Sequence, residues 1–393
     1  MKRLAALLAG LLFCASFAKA EIGEELNAIF ARNETLGACV AVFENGDITF
    51  THCYGRLSPG GEEVSENTLF QVGSISKMTA NIGLLQLMEK HQLSLDSAIG
   101  DVLGFAIAHP NLPDEPITFR QLMTHTAGLR DGMEYQNALL GKPKRLSVLF
   151  REYRASVFDF ELVPGKQRQY SNFGGGLIGA LIEKLSGQTV DAYLYENVFE
   201  PLGVTAAYQI GLLPESLPTA DIYHMPKKEI GKKLRGDESL ITEADAEKHY
   251  AYTAGRLIIS APDLCKILIA LCDGGIYENT RILPESAVEE MITPQNFRGS
   301  VNCESGHGLF LNILKDVQVE GRTLYGHGGK AYGMLCAAYF DPADRTGVVM
   351  LTNGCRDRTT YGGVGYLGRE ILTCCYRKLI EPAHETINPF LVE

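Results

Sequence analysis

Basic side chains are scarce in this 393-residue sequence. Lysine and arginine contribute 36 residues against 47 aspartates and glutamates, and the formal net charge is −11. Proteins that bind nucleic acids normally carry a basic surface, so this charge balance argues against a nucleic-acid partner. The acidic excess favours solubility and does not indicate a particular ligand.

Long apolar runs are also scarce. Only residues 4–17 form one, and that run is too short to span a bilayer. It follows the basic Met1-Lys2-Arg3 and precedes Ala18-Lys19-Ala20, which has the small-x-small pattern of a cleavage site. The sequence therefore predicts a signal peptide over residues 1–20, export to the periplasm or the extracellular space, and no integral membrane segment after cleavage.

Several common site motifs are absent. The chain has no Cys-x-x-Cys pair, no Gly-x-Ser-x-Gly elbow, and no second histidine to complete a zinc-protease helix at His384-Glu385. Gly363-Val364-Gly365-Tyr366-Leu367-Gly368 matches a dinucleotide-binding pattern, but no strand follows it. We interpret these glycines as packing residues of the last helix, and we expect no metal and no cofactor.

Cysteines are not scarce, and an exported protein meets an oxidising environment in which some of them are expected to pair. Cys265 and Cys272 lie two helical turns apart, an axial rise of roughly 10 Å that no disulfide bridges. The other pairings stay open, and burial as small apolar side chains is the alternative to pairing. The cysteines after residue 20 are Cys39, Cys53, Cys265, Cys272, Cys303, Cys336, Cys355, Cys374 and Cys375.

Hydrophobic periodicity predicts an α+β fold. The signal at Asn45-Gly46 is that of a hairpin, and Asp341-Pro342-Ala343-Asp344 predicts another turn. Strands are predicted at 37–43, 47–52, 68–72, 309–314, 321–325, 334–340 and 347–352; helices at 21–32, 78–88, 118–128, 177–185, 262–274 and 367–379. Strands at both ends predict one antiparallel sheet lobe (21–75 and 305–393), flanked by helices, and a mostly helical lobe (76–304), with the active site between them. The polar residues 213–248 predict a surface excursion that borders a cleft.

Ser74-Ile75-Ser76-Lys77 lies where a predicted strand leads into an apolar helix. Residues i and i+3 share a helix face, so Lys77 can lie beside Ser74 and help to remove its proton. The alternative is structural, with Ser74 as a helix cap and Lys77 in solvent. The apolar helix 78–88 predicts burial at this point, which favours the catalytic interpretation.

Two further short motifs follow in the chain, Tyr170-Ser171-Asn172 and His327-Gly328-Gly329. Taken in order, the three motifs resemble those of the penicillin-recognising serine hydrolases, in the branch with class C β-lactamases and D-Ala-D-Ala carboxypeptidases. Residues 124–129, which include His125, fit the same resemblance, although we interpret His125 as a structural histidine. The resemblance implies a β-lactamase/transpeptidase-like fold and covers nearly the whole chain after residue 20.

The resemblance also implies roles for the site residues. Ser74 is expected to form an acyl-enzyme with the help of Lys77, and Tyr170 to act as general base, with nearby cations favouring its phenolate. Asn172, His327, Gly328 and Gly329 are expected to bind substrate. The backbone N–H groups of Ser74 and Lys330 are expected to form the oxyanion hole.

The third motif departs from the lactamases, which carry Lys-Thr-Gly there. His327 can be neutral at pH 7, and Gly328 lacks a hydroxyl for a substrate carboxylate. Lys330 is a candidate to restore the missing cation. These departures argue against an efficient β-lactamase, and the resemblance then implies a hydrolase of D-Ala-D-Ala type cell-wall peptides with weak or no β-lactamase activity. The alternatives are a carboxylesterase on the same scaffold and a non-catalytic penicillin-binding-like protein, with a peptide, β-lactam or ester as the small-molecule partner.

Overall fold

The computed structural model describes residues 20–236, 239–295, 306–316, 319–356 and 364–381. The predicted signal peptide lies outside the described residues except for Ala20, which is part of the first helix. In these described segments, no helix combines the length and the hydrophobicity that crossing a bilayer requires.

A six-stranded antiparallel sheet is built from both ends of the chain, as predicted. Its strands are β1 (Gly37–Glu44), β2 (Asp47–Gly55), β10 (Asn312–Lys315), β11 (Thr323–Ala331), β12 (Met334–Asp341) and β13 (Thr346–Thr352). They lie in the order β10-β11-β12-β13-β1-β2. The first and last parts of the chain meet where β1 pairs with β13, with Ala38 opposite Thr352. The third sequence motif, predicted beside a strand, therefore lies within β11.

Both predicted turns are confirmed. Asn45 and Gly46 have φ angles of 53° and 91°, the two left-handed residues that a tight hairpin with right-handed strand twist requires. The second turn joins β12 to β13 and ends at Arg345, whose φ is 53°. Asn45 and Gly46 are residue types that tolerate positive φ, and Pro342 restricts its own φ to a value that suits a turn. These residue types make both turns recognisable in the sequence.

The middle of the chain is mostly helical. The helices are α1 (20–32), α2 (Ile75–Lys90), α3 (Ile99–Leu103), α4 (Phe119–Met123), α5 (Met133–Leu139), α6 (Leu146–Glu152), α7 (Arg154–Val157), α8 (Asn172–Ser186), α9 (Val190–Leu194), α10 (Ala261–Cys272), α11 (Glu285–Ile292) and α12 (Tyr366–Cys375). The short strands are β3 (Phe70–Gln71), β4 (Ala206–Ala207), β5 (Ile222–His224), β6 (Glu229–Lys232), β7 (Ile258–Ile259), β8 (Ile276–Tyr277) and β9 (Thr280–Arg281). Helical and strand content together confirm the α+β class, while the lobe boundaries stay a prediction.

The central strands of the main sheet are buried on both faces, which explains why β1 is apolar from Gly37 to Phe43. Ala38, Val40 and Val42 belong to the cluster that also contains α1 and α12, whereas Cys39 and Ala41 belong to the cluster on the opposite face. Side chains alternate across a strand, so each face receives every second residue. The cluster that contains Cys39 and Ala41 continues into α2, α8 and α10 and forms the core of the helical part of the molecule.

Helix α4 is shorter than predicted. Thr118 caps its start with a complete capping box to Gln121, but the helix ends at Met123 and not near Gly128. The backbone turns at His125, whose φ is 59°, and helical periodicity ends there. The predicted strand at 68–72 is also shorter, and β3 pairs with β7 in a separate three-stranded sheet.

The cysteines of the described segments carry free thiols, and Cys303 lies outside those segments. Cys39 and Cys53 face each other across β1 and β2, with their sulfur atoms 3.5 Å apart. In the last predicted motif, Gly365 and Gly368 pack closely against Leu335 and Val364, which agrees with their interpretation as packing residues. Gly363 lies outside the described residues.

Candidate active site

Ser74 lies between β3 and the first turn of α2. Its side chain makes no capping hydrogen bond to the helix, so the structural alternative proposed for Ser74 is wrong. The Oγ atom instead lies 3.1 Å from Nζ of Lys77 and 2.7 Å from the hydroxyl of Tyr170. Helix α2 is buried on nearly every side, as predicted, and it holds this half-buried serine at the edge of the core.

Lys77 is fully buried. Its Nζ donates to Oδ1 of Asn172 at 2.9 Å and to the backbone carbonyl of Ala254 at 2.5 Å. Burial lowers the pKa of Lys77 to about 7, because the charged ammonium loses its hydration, and the nearby Asp131 opposes this shift. A large neutral fraction of Lys77 therefore exists near neutral pH.

Tyr170 places its hydroxyl against Ser74 while its ring is 36% exposed. Burial of the hydroxyl raises the pKa of Tyr170 to about 12, although the hydrogen bond to Ser74 and the charge of Arg168 act in the opposite direction. The nearby cation Arg168 does favour the phenolate, as expected, but burial outweighs its effect. At neutral pH this phenol is protonated and donates to Ser74 Oγ.

Asn172 begins α8, and Asp131 holds it there. Asp131 accepts from Nδ2 of Asn172 at 2.7 Å, from the Ser171 hydroxyl at 3.0 Å and from the Phe173 N–H at 2.8 Å. Asp131 was not predicted from the sequence. The feature that could have pointed to it is its position two residues after the motif 124–129, because a carboxylate is favourable near a helix N-terminus.

Gly175 was also missed. A Cβ atom at this position would lie 2.2 Å from Cε of Lys77, so only glycine leaves room for the buried lysine. The signal was the run Gly174-Gly175-Gly176 in a helix interior, where each glycine costs roughly 1 kcal/mol relative to alanine. Such a run indicates close approach of another element.

Strand β11 forms the opposite wall. A Cβ atom on Gly329 would lie 2.0 Å from the Val72 carbonyl, so glycine lets β11 approach the segment before Ser74. The Lys330 nitrogen lies next to Gly73, 3.0 Å from the position a Cβ would take there. The strand thus brings the Lys330 backbone and His327-Gly328-Gly329 to the serine, while the Lys330 side chain is exposed.

His327 and His125, the two histidines nearest the reacting groups, are neutral at pH 7. Burial, the charge of Lys77 and the charge of Arg168 lower the pKa of His327 to about 3. His125 is buried, and its pKa is lowered well below the ordinary value, mainly by loss of hydration. Its Nδ1 accepts from the Ser171 N–H at 3.2 Å, and its ring lies 4.4 Å from that of Tyr170, which agrees with a structural role.

A cleft with two arms opens at Ser74. The residues 213–248 border it, as predicted, with His224 and Pro226 in the larger arm and Lys232 in the smaller one. The larger arm, about 930 Å³, also contains Arg168, His307, Asn312, His327 and Leu335; the smaller, about 350 Å³, contains Gln71, Tyr135, Gln136, Leu139 and Arg256. Ser74, Asn172, Lys330 and Tyr332 line both arms. No group of three His, Cys, Asp or Glu side chains in the described segments is arranged to hold a metal ion.

Comparison with known proteins places this constellation in a family. The protein-family model described as Beta-lactamase matches residues 25–361 of this chain. The chain belongs to the beta-lactamase family. This family of serine hydrolases includes amidases and esterases besides the enzymes that give it its name.

Individual relatives differ in activity. Penicillin-binding protein 4 of Amycolatopsis lactamdurans is 28% identical over 340 residues, which is 84% of each chain. The D-amino acid amidase of Ochrobactrum anthropi SV3 has a TM-score of 0.66 at 20% identity, and the match covers 93% of this chain and 99% of that one. The hydrolase EstCE1 has a TM-score of 0.68 at 20% identity, covering 92% and 100%. At these identities the two structures show the shared fold alone, which confirms the predicted β-lactamase/transpeptidase-like architecture.

Proposed function

We propose that this protein is an exported serine hydrolase that forms an acyl-enzyme on Ser74 and acts on D-amino-acid peptides of the D-Ala-D-Ala type. The observation that carries the proposal is the position of Ser74 Oγ, held between Lys77 Nζ at 3.1 Å and the Tyr170 hydroxyl at 2.7 Å. A nucleophile in hydrogen-bond reach of a base is the signature of covalent catalysis. The names of the relatives, a penicillin-binding protein and a D-amino acid amidase, support this substrate class.

Lys77 is the general base of the proposed acylation step. A neutral amine has two N–H donors and one lone pair, and the two donors are engaged by Asn172 Oδ1 and the Ala254 carbonyl. The lone pair is left to accept the Ser74 proton. As that proton moves to Nζ, the Ser74 oxygen bonds to the substrate carbonyl carbon, and the carbonyl π electrons move to its oxygen.

The backbone N–H groups of Ser74 and Lys330 then stabilise the oxyanion. When the intermediate collapses, the bond to the leaving nitrogen breaks, and Tyr170 gives that nitrogen its proton. The phenolate regains a proton from the Lys77 ammonium, which lies 5.0 Å from the ring. Water later attacks the ester by the reverse sequence and frees the acid and Ser74.

The opposite wall argues for weak or no β-lactamase activity. His327 is neutral, and Gly328 offers no hydroxyl, so this part of β11 lacks the fixed cation and the donor that would hold a β-lactam carboxylate. A D-Ala-D-Ala peptide ends in a carboxylate as well, and it would also go without this cation and donor, whereas a neutral ester needs neither. A carboxylesterase on this scaffold is therefore the second candidate, and a non-catalytic penicillin-binding-like protein is the third.

Three substrates distinguish these candidates: a D-Ala-D-Ala peptide, nitrocefin and a p-nitrophenyl ester. The proposal expects the highest kcat/KM on the peptide and little turnover of nitrocefin. Turnover of the ester alone would establish the esterase, and turnover of none by a protein that still binds penicillin would establish the non-catalytic alternative.

Export is a separate part of the proposal, supported by Lys2, Arg3 and the apolar residues 4–17. Sequencing the N-terminus of protein from the culture medium or the periplasm tests it. Cleavage after Ala20 is expected. Full-length protein retained in the cytoplasm would contradict export without affecting the proposed chemistry.

A further inference from the structure

Asp131 makes three hydrogen bonds to the start of α8 and lies outside the sequence motifs. Its Oδ1 accepts from the Ser171 hydroxyl and the Phe173 N–H, and its Oδ2 accepts from Nδ2 of Asn172. An ionised carboxylate only accepts hydrogen bonds. The Asn172 amide must therefore turn its NH₂ group towards Asp131 and its oxygen towards Lys77.

This orientation decides what Lys77 can do. With Oδ1 facing it, Asn172 takes one N–H of Lys77, and the Ala254 carbonyl takes another. With the amide reversed, its NH₂ would face Nζ and compete for the amine lone pair. We propose that Asp131 is a positioning residue that orients Asn172 and thereby directs the lone pair of Lys77 at Ser74. This inference rests on the proposed function.

The charges around Lys77 add a second measurable consequence, a change in the pKa of Lys77. Asp131 is the anion that raises the pKa of Lys77 against the effect of burial. The other titratable groups that face the site are Tyr170, protonated at neutral pH, the neutral His125 and His327, and the cationic Arg168. Removal of the Asp131 charge therefore lets the pKa of Lys77 fall below about 7.

Asp131→Asn tests both consequences, with the pH dependence of Ser74 acylation as the measurement. The acid limb of kcat/KM is expected to move to lower pH, and the plateau to fall by up to about a hundredfold, as expected when a catalytic group is misplaced by about 1 Å. Asp159→Asn is the matched control, a half-buried carboxylate on a neighbouring loop that bonds Gln169 and the Glu161 N–H. Its acid limb should stay in place.

Asn172→Asp is expected to shift the acid limb of kcat/KM in the opposite direction. It replaces Asp131→Asn as the test if that variant does not fold. A second carboxylate beside Lys77 raises its pKa, so the acid limb should move to higher pH. An unchanged acid limb in both variants would overturn the role of Asp131. If the unmodified protein itself shows no acylation of Ser74, the proposed function fails, and that outcome is distinct from the failure of the Asp131 proposal.

A second, independent observation concerns Cys39 and Cys53, which lie opposite each other on β1 and β2. Hydrogen-bonded and non-hydrogen-bonded pairs alternate along two antiparallel strands. The Arg56 N–H donates to the Leu36 carbonyl, so the pair 36/56 is hydrogen-bonded, and the pairs 37/55 and 39/53 are of the other kind. Cys39 and Cys53 therefore form a non-hydrogen-bonded pair. Cα atoms in such pairs are about 4.5 Å apart, which is within disulfide range.

We infer that Cys39 and Cys53 form a disulfide when the protein meets a small-molecule disulfide such as oxidised glutathione. The half-buried Cys53 attacks the oxidant first as its thiolate and releases one glutathione thiolate. Cys39 then loses its proton and attacks the Cys53 sulfur, which expels the glutathione still attached there. Two electrons pass to the oxidant, which leaves as two thiols.

Peptide mapping of the full chain after incubation with oxidised glutathione tests this site. Residues 33–56 contain no lysine or arginine before Arg56, so trypsin leaves both cysteines in one peptide, and cleavage after Glu44 is needed to separate them. The two fragments are expected to stay joined until a reductant is added, and Cys265→Ser is expected to leave that link intact. Glutathione retained on Cys53, or a free Cys53 thiol after incubation, would overturn the inference.

Discussion

In the proposed mechanism, the charge of Lys77 decides whether Ser74 can react. Lys77 acts as a base only when neutral, and its pKa of about 7 places that change near neutral pH. The labelling rate of Ser74 is therefore expected to rise with pH through an apparent pKa near 7. Stopped-flow measurement of acylation by a fluorescent penicillin or an ester checks this.

Lys77→Gln is the matching variant, since it keeps much of the side-chain length but accepts no proton at this pH. Loss of a general base typically costs on the order of 10²–10⁴-fold, and the acid limb should disappear. A Lys77→Gln profile with the same acid limb as the unmodified protein would show that another group is the base.

We propose that His327 influences which substrates the opposite wall accepts. We expect His327→Lys to raise kcat/KM for a carboxylate-bearing penicillin relative to a neutral ester, because it adds a cation to β11 beside the cleft. The new charge also lies near Lys77 and should lower its pKa, which moves the acid limb to lower pH. Unchanged relative rates on the two substrates would contradict this role.

Among the elements, helix α8 depends on Gly175 near its start to leave room for the side chain of Lys77. Gly175→Ala places a Cβ 2.2 Å from Lys77 Cε, and the lysine must move away from Ser74. We expect a loss of activity of at least about a hundredfold, because a displacement of about 1 Å can cost that much. Gly174→Ala is the control in the same turn, since its nearest neighbours lie at 3.6 Å.

The two variants share the same gain in helix propensity, roughly 1 kcal/mol, so a comparison of melting temperatures separates packing from propensity. Gly174→Ala should keep its activity. Equal activities in the two variants would show that Gly175 does not make room for Lys77.

The sequence predicted elements well where the signal is local. Asn45-Gly46 specified its hairpin, and the short apolar runs of β12 and β13, buried along their whole length, specified strands. Helix α4 was predicted too long because its end depends on the left-handed turn at His125, which no glycine or proline marks. Asp131 and Gly175 were missed because their partners, Asn172 and Lys77, are distant in the chain. The pKa of Tyr170 was misjudged because burial, which the sequence does not display, outweighs the nearby cations.

At the scale of the whole molecule, the sheet separates the site from a second core. Ser74 lies on the side of the sheet that packs against α2, whereas α1 and α12 cover the other side, where Ile371 of α12 shares a cluster with Val40 of β1 and Met350 of β13. Ile371→Ala removes a fully buried side chain from that second core and should lower the free energy of unfolding by about 2–5 kcal/mol. Activity per folded molecule should not change, because the cavity lies across the sheet.

Urea unfolding and active-site titration of the same sample measure both quantities. Arg377→Ala, an exposed position just after α12, is the control and should change stability little. A fall in kcat/KM per folded Ile371→Ala molecule would show that the two sides of the sheet are coupled.

Covalent labelling is the most direct test of whether Ser74 is the nucleophile. The protein and its Ser74→Ala variant are each incubated with a fluorophosphonate or a fluorescent penicillin, and intact mass and peptide mapping follow. One adduct on Ser74 is expected in the unmodified protein and none in Ser74→Ala. An adduct that survives in the variant, or one that maps to another residue, would contradict this role of Ser74.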